Sequence, residues 1–478
     1  MSGSLTKRTI DAIWGNDMAD TNLDPDLIVV GAGLAGLCAA LTAAEKGYRV
    51  TLLEKQDTTG GSSALSGGCL AFAGTDLQAN QGIKDSSDQL YADLVEVGKH
   101  ESDESLVRTY VDNQHSTYEW LTKSGVSFGE RLEAASGQSA PRSHNVDPAD
   151  MIRVLTARKK EFDNLTLLPR SAASRLLTDD SGRVVGIDFI QDGQAKQLHA
   201  KYGVILTSGG FSKNKAMVHK FAPQYDDAVF IGGEGNVGDG LRMACKLGAD
   251  IVDMVHIKGT FGKHPTDETN HHSCLAVYKG AIAVNQDGKR FVNESISYKL
   301  LGDACIRQPY GAAFQILDHN ILKSGDNQFR IFDFERRLEA GLMYEEPSLE
   351  KLAETIDIPV QTLLDTVAQY NRYVQEGDDP DFGRNSLVQG HGQLVKIETG
   401  PFYAYPSTVA VFGTYCGIKV NKRMQVIDVF GEPIAGLYAA GEIVGGLHGA
   451  AYMTGSALGK AAIFGRVAAV AATESVSV

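Results

Sequence analysis

The stretch 26–36, Asp26-Leu27-Ile28-Val29-Val30-Gly31-Ala32-Gly33-Leu34-Ala35-Gly36, constrains what this chain can fold into more than any other. The unbroken apolar run at 27–30 predicts a strand buried on both faces. Gly31, Gly33 and Gly36 follow at G-x-G-x-x-G spacing, and the Ala-rich residues 37–46 predict a helix. Gly31 permits the tight turn, Gly33 admits a pyrophosphate to the backbone, and Gly36 lets helix pack on strand. Ala32, Leu34 and Ala35 share the turn and are assigned to the same contact. The diphosphate then meets unpaired N–H groups and the positive end of a helix dipole. A second strand at 49–53 ends at Glu54 and Lys55, with the Glu54 carboxylate set to accept hydrogen bonds from an adenosine ribose. Glycine-rich turns alone are common. Strand, turn, helix, strand and acid in order, within one βαβ length, point to a dinucleotide site instead.

A second glycine-rich loop, Gly60-Gly61-Ser62-Ser63 with Ser66-Gly67-Gly68, follows directly. It suits a ligand whose second half also needs close backbone approach. FAD has such a half, so FAD is expected; the alternative is a surface loop. Ala173 lies on a short predicted strand, 173–177, and Ser208-Gly209-Gly210 ends an apolar strand at 202–207. Asp239, within Gly238-Asp239-Gly240, either caps a helix at 241–247 or faces the flavin. Near the end, a strand at 434–440 runs into Gly441-Glu442, and Gly455-Ser456-Ala457-Leu458 opens a long Ala-rich helix. A helix N-terminus aimed at a flavin carbonyl stabilises the reduced, anionic ring.

With 478 residues the chain holds two or three domains. The glycine-rich signals occur on both sides of a region of different character. The expected fold is therefore α/β, a Rossmann-type FAD-binding domain with an inserted α+β substrate or cap domain. The expected segments are an extension at 1–23, FAD-binding parts at 24–249 and 397–478, and the cap at 250–396. Strands are expected at 281–284 and 290–292, helices at 299–306 and 348–374, and a polar linker at 377–392. Residues 129–148 read as loop, with His144 at the surface or capping, while Trp120 reads as core. The formal charge of −14, from 45 basic and 59 acidic residues, argues against nucleic acid and anionic membranes as partners. No C-x-x-C pair occurs among the six cysteines, so no metal or iron–sulfur site is suggested and reduced thiols are expected. Residues 1–23 lack a signal-peptide core and no run reaches membrane-spanning length, so a cytoplasmic protein without membrane insertion is expected.

These motifs, with Gly288-Lys289-Arg290-Phe291-Val292-Asn293-Glu294, together resemble the fumarate reductase/succinate dehydrogenase flavoprotein superfamily over nearly all of the chain after residue 23. The resemblance implies FAD held by the first and last segments, with the insert covering the flavin. Where the dicarboxylate branch carries arginines, this chain has Tyr298 and Tyr452; where it carries His-His-Thr and His-Pro-Thr, it has Phe412-Gly413-Thr414 and Thr260-Phe261-Gly262. The tyrosines resemble the 3-ketosteroid dehydrogenase branch. That likeness implies Tyr298 as the base beside a ketone and Tyr452 as donor to its oxygen, helped by a backbone N–H near Gly455 or Ser456. Thr454 resembles the hydroxyl residue of the 4,5-desaturating members, and Tyr415 and Tyr118 are candidate proton relays.

The implied activity is FAD-dependent desaturation of a cyclic ketone, a 3-oxosteroid or a smaller ring such as 4-oxocyclohexanecarboxylate. The alternatives are a fumarate-reductase-like enzyme acting on an activated alkene and a non-catalytic flavin sensor. The electron acceptor is expected to be external: a quinone, a carrier protein or oxygen. The second loop reads Ser63-Ala64-Leu65-Ser66, without the histidine by which relatives attach flavin, so FAD is expected to be non-covalent.

Overall fold

The computed structural model describes residues 24–226, 228–257, 259–267, 273–327, 329–388 and 390–474. The extension expected at 1–23 lies outside them. The nucleotide motif forms as its residues require. Strand β1 (Leu27–Val30) is fully buried, and helix α1 (Leu34–Glu45) starts three residues earlier than expected, directly behind Gly33. Strand β2 (Val50–Leu53) pairs parallel to β1, Leu27 opposite Val50. With β3 (Leu165–Leu168), β4 (Val204–Leu206), β5 (Gln425–Ile427) and β6 (Pro433–Ala439), they form a six-stranded sheet ordered β5-β6-β4-β1-β2-β3. All pairs are parallel except β5–β6.

The chain runs outward from β1 through β2 and β3, then returns to the other side of β1 as β4. Strand order therefore reverses between β1 and β4. A doubly wound sheet binds its ligand at the carboxyl ends of the strands around such a point. Gly31 follows β1, Glu54 follows β2, Ser208 follows β4 and Gly441 follows β6, so motifs far apart in the chain arrive at one edge.

Helix α1 packs against a long helix from the other end of the chain, here α3 (Ser456–Glu474). A Cβ at Gly465 would lie 2.3 Å from the Ala35 carbonyl oxygen, so this crossing needs a glycine. An antiparallel meander, Ser171–Thr178, Val184–Gln191 and Gln194–His199, packs against β4 and β6.

A second sheet centres on Phe402–Val411. That strand pairs antiparallel with Thr260–Lys263, Ala313–Asp318 and Tyr344–Glu346, and parallel with Val229–Phe230. The sheet thus takes strands from both sides of the expected divisions at 249/250 and 396/397. Helix α2 (Tyr298–Ile306) packs on Thr260–Lys263 and on the central strand, with Ser297 as its N-cap.

Several expectations are corrected. Residues 290–292 form no strand; only an isolated bridge joins Val284 to Arg290. The helix expected at 348–374 is two, Leu349–Thr355 and Val360–Glu376, because Pro359 cannot continue a helix from the preceding turn. The stretch 377–392 is not a polar linker, since Asp379, Arg384 and Ser386 are buried in it. His144 is fully buried, with Nε2 2.8 Å from Thr75 Oγ1 and Nδ1 2.9 Å from the Arg142 carbonyl. A short strand pair, Cys69–Ala71 with Ser143–Asn145, carries it inward. Trp120 is only partly buried and donates its indole N–H to Glu45. The six cysteines are free thiols. Among the described residues, no helix is long and apolar enough to cross a membrane.

Candidate active site

A cavity of about 370 Å³ runs along the carboxyl edge of the first sheet and under the second. At its first end Gly31 adopts φ +105°, and a Cβ there would meet the Thr207 carbonyl oxygen at 2.6 Å. A Cβ at Gly36 would fall 1.8 Å from the Gly31 carbonyl oxygen, so helix and turn can approach only through glycine. Gly31, Gly33, Leu34, Ala35, Glu54 and Lys55 line this end. Glu54 accepts from Ala32 N at 2.8 Å and Gln56 N at 2.9 Å, one bond per carboxylate oxygen. Each oxygen keeps a second lone pair for a ligand hydroxyl.

Gly60, Gly61, Ser62, Ser63, Ser66, Gly67, Gly68, Ala173, Ser208, Gly209, Asp239, Gly441, Glu442, Ala457 and Leu458 also line the cavity. Ala32, Gly36, Gly210, Gly455 and Ser456 stand behind its wall and shape it. Asp239 does not cap its helix. Gly238 occupies that position, and Asp239 binds Lys55 at 2.7 Å and Arg242 at 2.6 Å. These contacts outweigh burial and hold its carboxyl below the usual range.

The lining suits FAD. It combines a glycine cradle with two helix N-termini and the Glu54 carboxylate. Buried polar atoms on its wall also lack partners: among the described residues Ser208 Oγ, Asn236 Oδ1 and His448 Nε2 have no hydrogen bond. A buried polar atom without a partner costs about 1–3 kcal/mol, which a polar ligand would relieve.

At the other end of the cavity three phenols gather. Tyr452 lies 4.9 Å from Tyr415 and 6.0 Å from Tyr298 between ring centroids, and His448 lies 5.4 Å from both Tyr415 and Tyr452, edge-on to the first and tilted against the second. Thr454 Oγ1 lies 3.5 Å from Tyr298 Oη. Tyr298, Tyr415, Tyr452 and Thr454 thus come together although they span more than 150 positions of sequence, from 298 to 454. Tyr118 does not join them. It packs against Phe72 and Phe128 and donates to Asp76, away from the cavity.

The backbone N–H groups expected at the ketone are otherwise engaged. Gly455 N donates to Tyr452 Oη at 3.1 Å, and Ser456 N donates to the Met453 carbonyl at 3.1 Å. Gly455 therefore acts on the phenol rather than on a ligand beside it.

Sequence reasoning missed Lys299. It follows Tyr298 on α2 and is fully buried, with Nζ 2.5 Å from Thr260 Oγ1 and 4.3 Å from the Tyr415 ring centroid. The rings of Tyr298 and Tyr452 lie 5.7 and 5.8 Å away. Burial lowers its pKa to about 7, against the opposing pull of Asp303 and Glu442. Burial likewise lowers Lys460, on α3, to about 8; its Nζ donates to the Val444 carbonyl at 2.8 Å. Burial pushes Tyr298 and Tyr415 well above the ordinary phenol range, with neighbouring phenols adding to it, and Tyr452 up to about 12. His448 is held well below its usual range by burial and by Lys460 and Lys299. A lysine in the apolar run Lys299-Leu300-Leu301 was the available signal.

The FAD binding domain family matches residues 26–458. The chain is 32% identical over 458 residues to urocanate reductase of Eggerthella lenta, covering 93% of this chain and 74% of that protein. It is 31% identical over 428 residues to fumarate reductase (cytochrome) of Shewanella frigidimarina, covering 87% and 71%. Among solved structures, 3-ketosteroid-Δ4-(5α)-dehydrogenase of Rhodococcus jostii, in complex with 4-androstene-3,17-dione, superposes with a TM-score of 0.77. That match has 25% identity over 96% of this chain and 98% of that one.

Proposed function

The chain belongs to the FAD binding domain family, within the fumarate reductase/succinate dehydrogenase flavoprotein superfamily, and on that premise we propose that it is an FAD-dependent dehydrogenase that introduces a double bond beside a ring ketone. The observation that carries this reading is the cluster of Tyr298, Tyr415 and Tyr452 at one end of the flavin cavity. The likeness to the ketosteroid dehydrogenase supports it. Bound FAD supplies the hydride acceptor, and the residues of the chain do the rest.

Tyr452 donates to the ketone oxygen, where negative charge develops as the neighbouring C–H is deprotonated. The Gly455 N–H at its Oη makes that phenol a stronger donor, because hydrogen bonds in a chain polarise one another. Tyr298 takes the proton, with Thr454 beside its hydroxyl. Burial opposes a lone phenolate here, so the phenol must first hand its own proton to a nearby base and then take the substrate's. Lys299 is suited to receive it. Moving a proton from phenol to amine inside the cluster leaves the net buried charge unchanged, and the ammonium then faces the phenolate. Tyr415, whose ring centroid lies 4.3 Å from Lys299 Nζ, is the candidate relay.

The sign of the pH effect follows. Below about pH 7 Lys299 carries its proton and cannot accept another; above it the amine is free to do so. Single-turnover flavin reduction by ketone is expected to rise through pH 7 in the wild type. In Lys299→Met that rise is expected to shift upward by about one unit or more, toward the ionisation of the phenol itself. An unchanged pH profile would remove Lys299 from the relay.

Residues 250–396 serve in this reading as the cap. FAD is taken to be non-covalent, because residues 63–66 offer no histidine; acid precipitation should leave the flavin in the supernatant, and a yellow pellet would refute this. Electrons leave to an external acceptor such as a quinone, a carrier protein or oxygen. A second reading, reduction of an alkene conjugated to an acid, is favoured by the urocanate and fumarate reductases among the relatives. It predicts that chemically reduced enzyme is reoxidised by such an acid and that no ketone reduces the flavin.

A further inference from the structure

Most charges on the cavity wall are answered within the protein. Lys55 meets Asp239 at 2.7 Å, Lys460 meets the Val444 carbonyl at 2.8 Å, and Glu442 accepts from Asn236 Nδ2 at 3.0 Å and Thr414 N at 3.0 Å. Arg330 is the exception. Its side chain lines the same cavity as the three tyrosines. Among the described residues its guanidinium makes one hydrogen bond, to the Ser66 carbonyl at 3.5 Å, and no carboxylate lies within ion-pair distance. Its backbone is fixed nonetheless. Arg337, fully buried, donates to the Arg330 carbonyl and, at 2.9 Å, to that of Ser273, while Leu275 N donates to the Ile331 carbonyl at 3.1 Å. Phe329, Ile331 and Phe332 flank it with apolar wall.

A guanidinium on a rigid turn, between apolar side chains and with its strong donors unspent, fits a planar anion on an otherwise apolar molecule. We propose that the substrate is a carboxylate-bearing ring compound whose acid group is held by Arg330, at a different point of the cavity from the carbonyl held by Tyr452. This favours a small oxo-acid over an uncharged steroid. The ketone rests on the desaturase reading; the anion does not. Two fixed polar contacts, one at each group, would orient the ring and leave the C–H beside the ketone facing Tyr298. Binding energy from the non-reacting end is thereby used for positioning.

The test is calorimetric titration of the FAD-loaded protein with cyclohexanecarboxylate and with cyclohexanecarboxamide, neither of which has a ketone. The wild type is expected to bind the acid about ten- to a hundredfold more tightly than the amide, the size of a charge-assisted contact. Arg330→Gln is expected to erase that preference and Arg330→Lys to keep part of it, both with unchanged FAD content. Failure of the wild type to bind the acid, equal binding of acid and amide, an undiminished preference in Arg330→Gln, or loss of FAD from that variant would each overturn the proposal. The last would assign Arg330 to the cofactor. Failure of the desaturase reading has a different signature. The acid preference would persist and depend on Arg330, while 4-oxocyclohexanecarboxylate bound without reducing the flavin.

Discussion

Replacing Tyr298 by Phe is expected to lower the rate of flavin reduction by a ketone substrate by about 10²–10⁴-fold, the range spanned by a positioned acid–base group. The substitution removes one oxygen and keeps the ring. Packing against Tyr452 at 6.0 Å survives, so FAD content and thermal stability should hardly move. Substrate affinity should also hold, because in this assignment the ketone oxygen is bound by Tyr452. Tyr452→Phe should differ in kind: it removes the donor to the oxygen and leaves Gly455 N without its partner at 3.1 Å. A loss in both binding and rate is expected there. Stopped-flow reduction under anaerobic conditions separates the two, and equal behaviour of both variants would contradict the division of roles.

Arg290→Met is expected to destabilise the folded protein by about 3–5 kcal/mol, because it strips the partner from two buried carboxylates. Arg290 binds Glu294 through Nε at 2.8 Å and through its second nitrogen at 2.7 Å, and reaches Asp379 at 2.8 Å. All three side chains are nearly inaccessible. Burial alone would lower the arginine pKa, but the two carboxylates outweigh it and raise it. Arg384, at 3.3 Å from Glu294, answers part of the remaining charge. The cluster also reaches the site. Glu294 accepts from Ala283 N at 3.2 Å, Ser295 binds the Ser386 carbonyl, and three residues later the chain enters α2 at Tyr298. The variant should therefore lose catalytic rate as well as stability. Chemical denaturation of the FAD-loaded protein measures the first effect; a midpoint within experimental error of the wild type would show that the network contributes nothing.

The parts of this fold that were legible in the sequence are those where backbone geometry leaves few choices. Gly31 and Gly36 stand where a Cβ would collide with a carbonyl oxygen, and the apolar runs of β1 and β4 fit only a covered parallel sheet. Tyr298 and Tyr452 were legible through likeness to a family and Tyr415 only as a candidate relay, since nothing local joins position 298 to positions 415 and 452. What stayed hidden was polar and buried. His144, Asp379, Arg384 and Lys299 sit in stretches whose composition suits solvent or an ordinary helix face. Each is tolerable inside only because of contacts made elsewhere in the chain: Thr75 for His144, Arg290 for Asp379, the carbonyls of Ala281 and Val277 for Arg384, and Thr260 for Lys299. Arg330 was missed for the opposite reason. Its interest lies in the partner it lacks inside the protein, and one-dimensional spacing carries no trace of that.

Anaerobic titration of the yellow protein with 4-oxocyclohexanecarboxylate, and separately with a 3-oxosteroid, tests the ketone desaturase assignment. Loss of the oxidised-flavin absorbance with the oxo-acid, accompanied by the conjugated enone in the quenched mixture, is the predicted result. An absorbance unmoved by either ketone, with reduced enzyme reoxidised by an unsaturated acid, would contradict it and identify an alkene reductase.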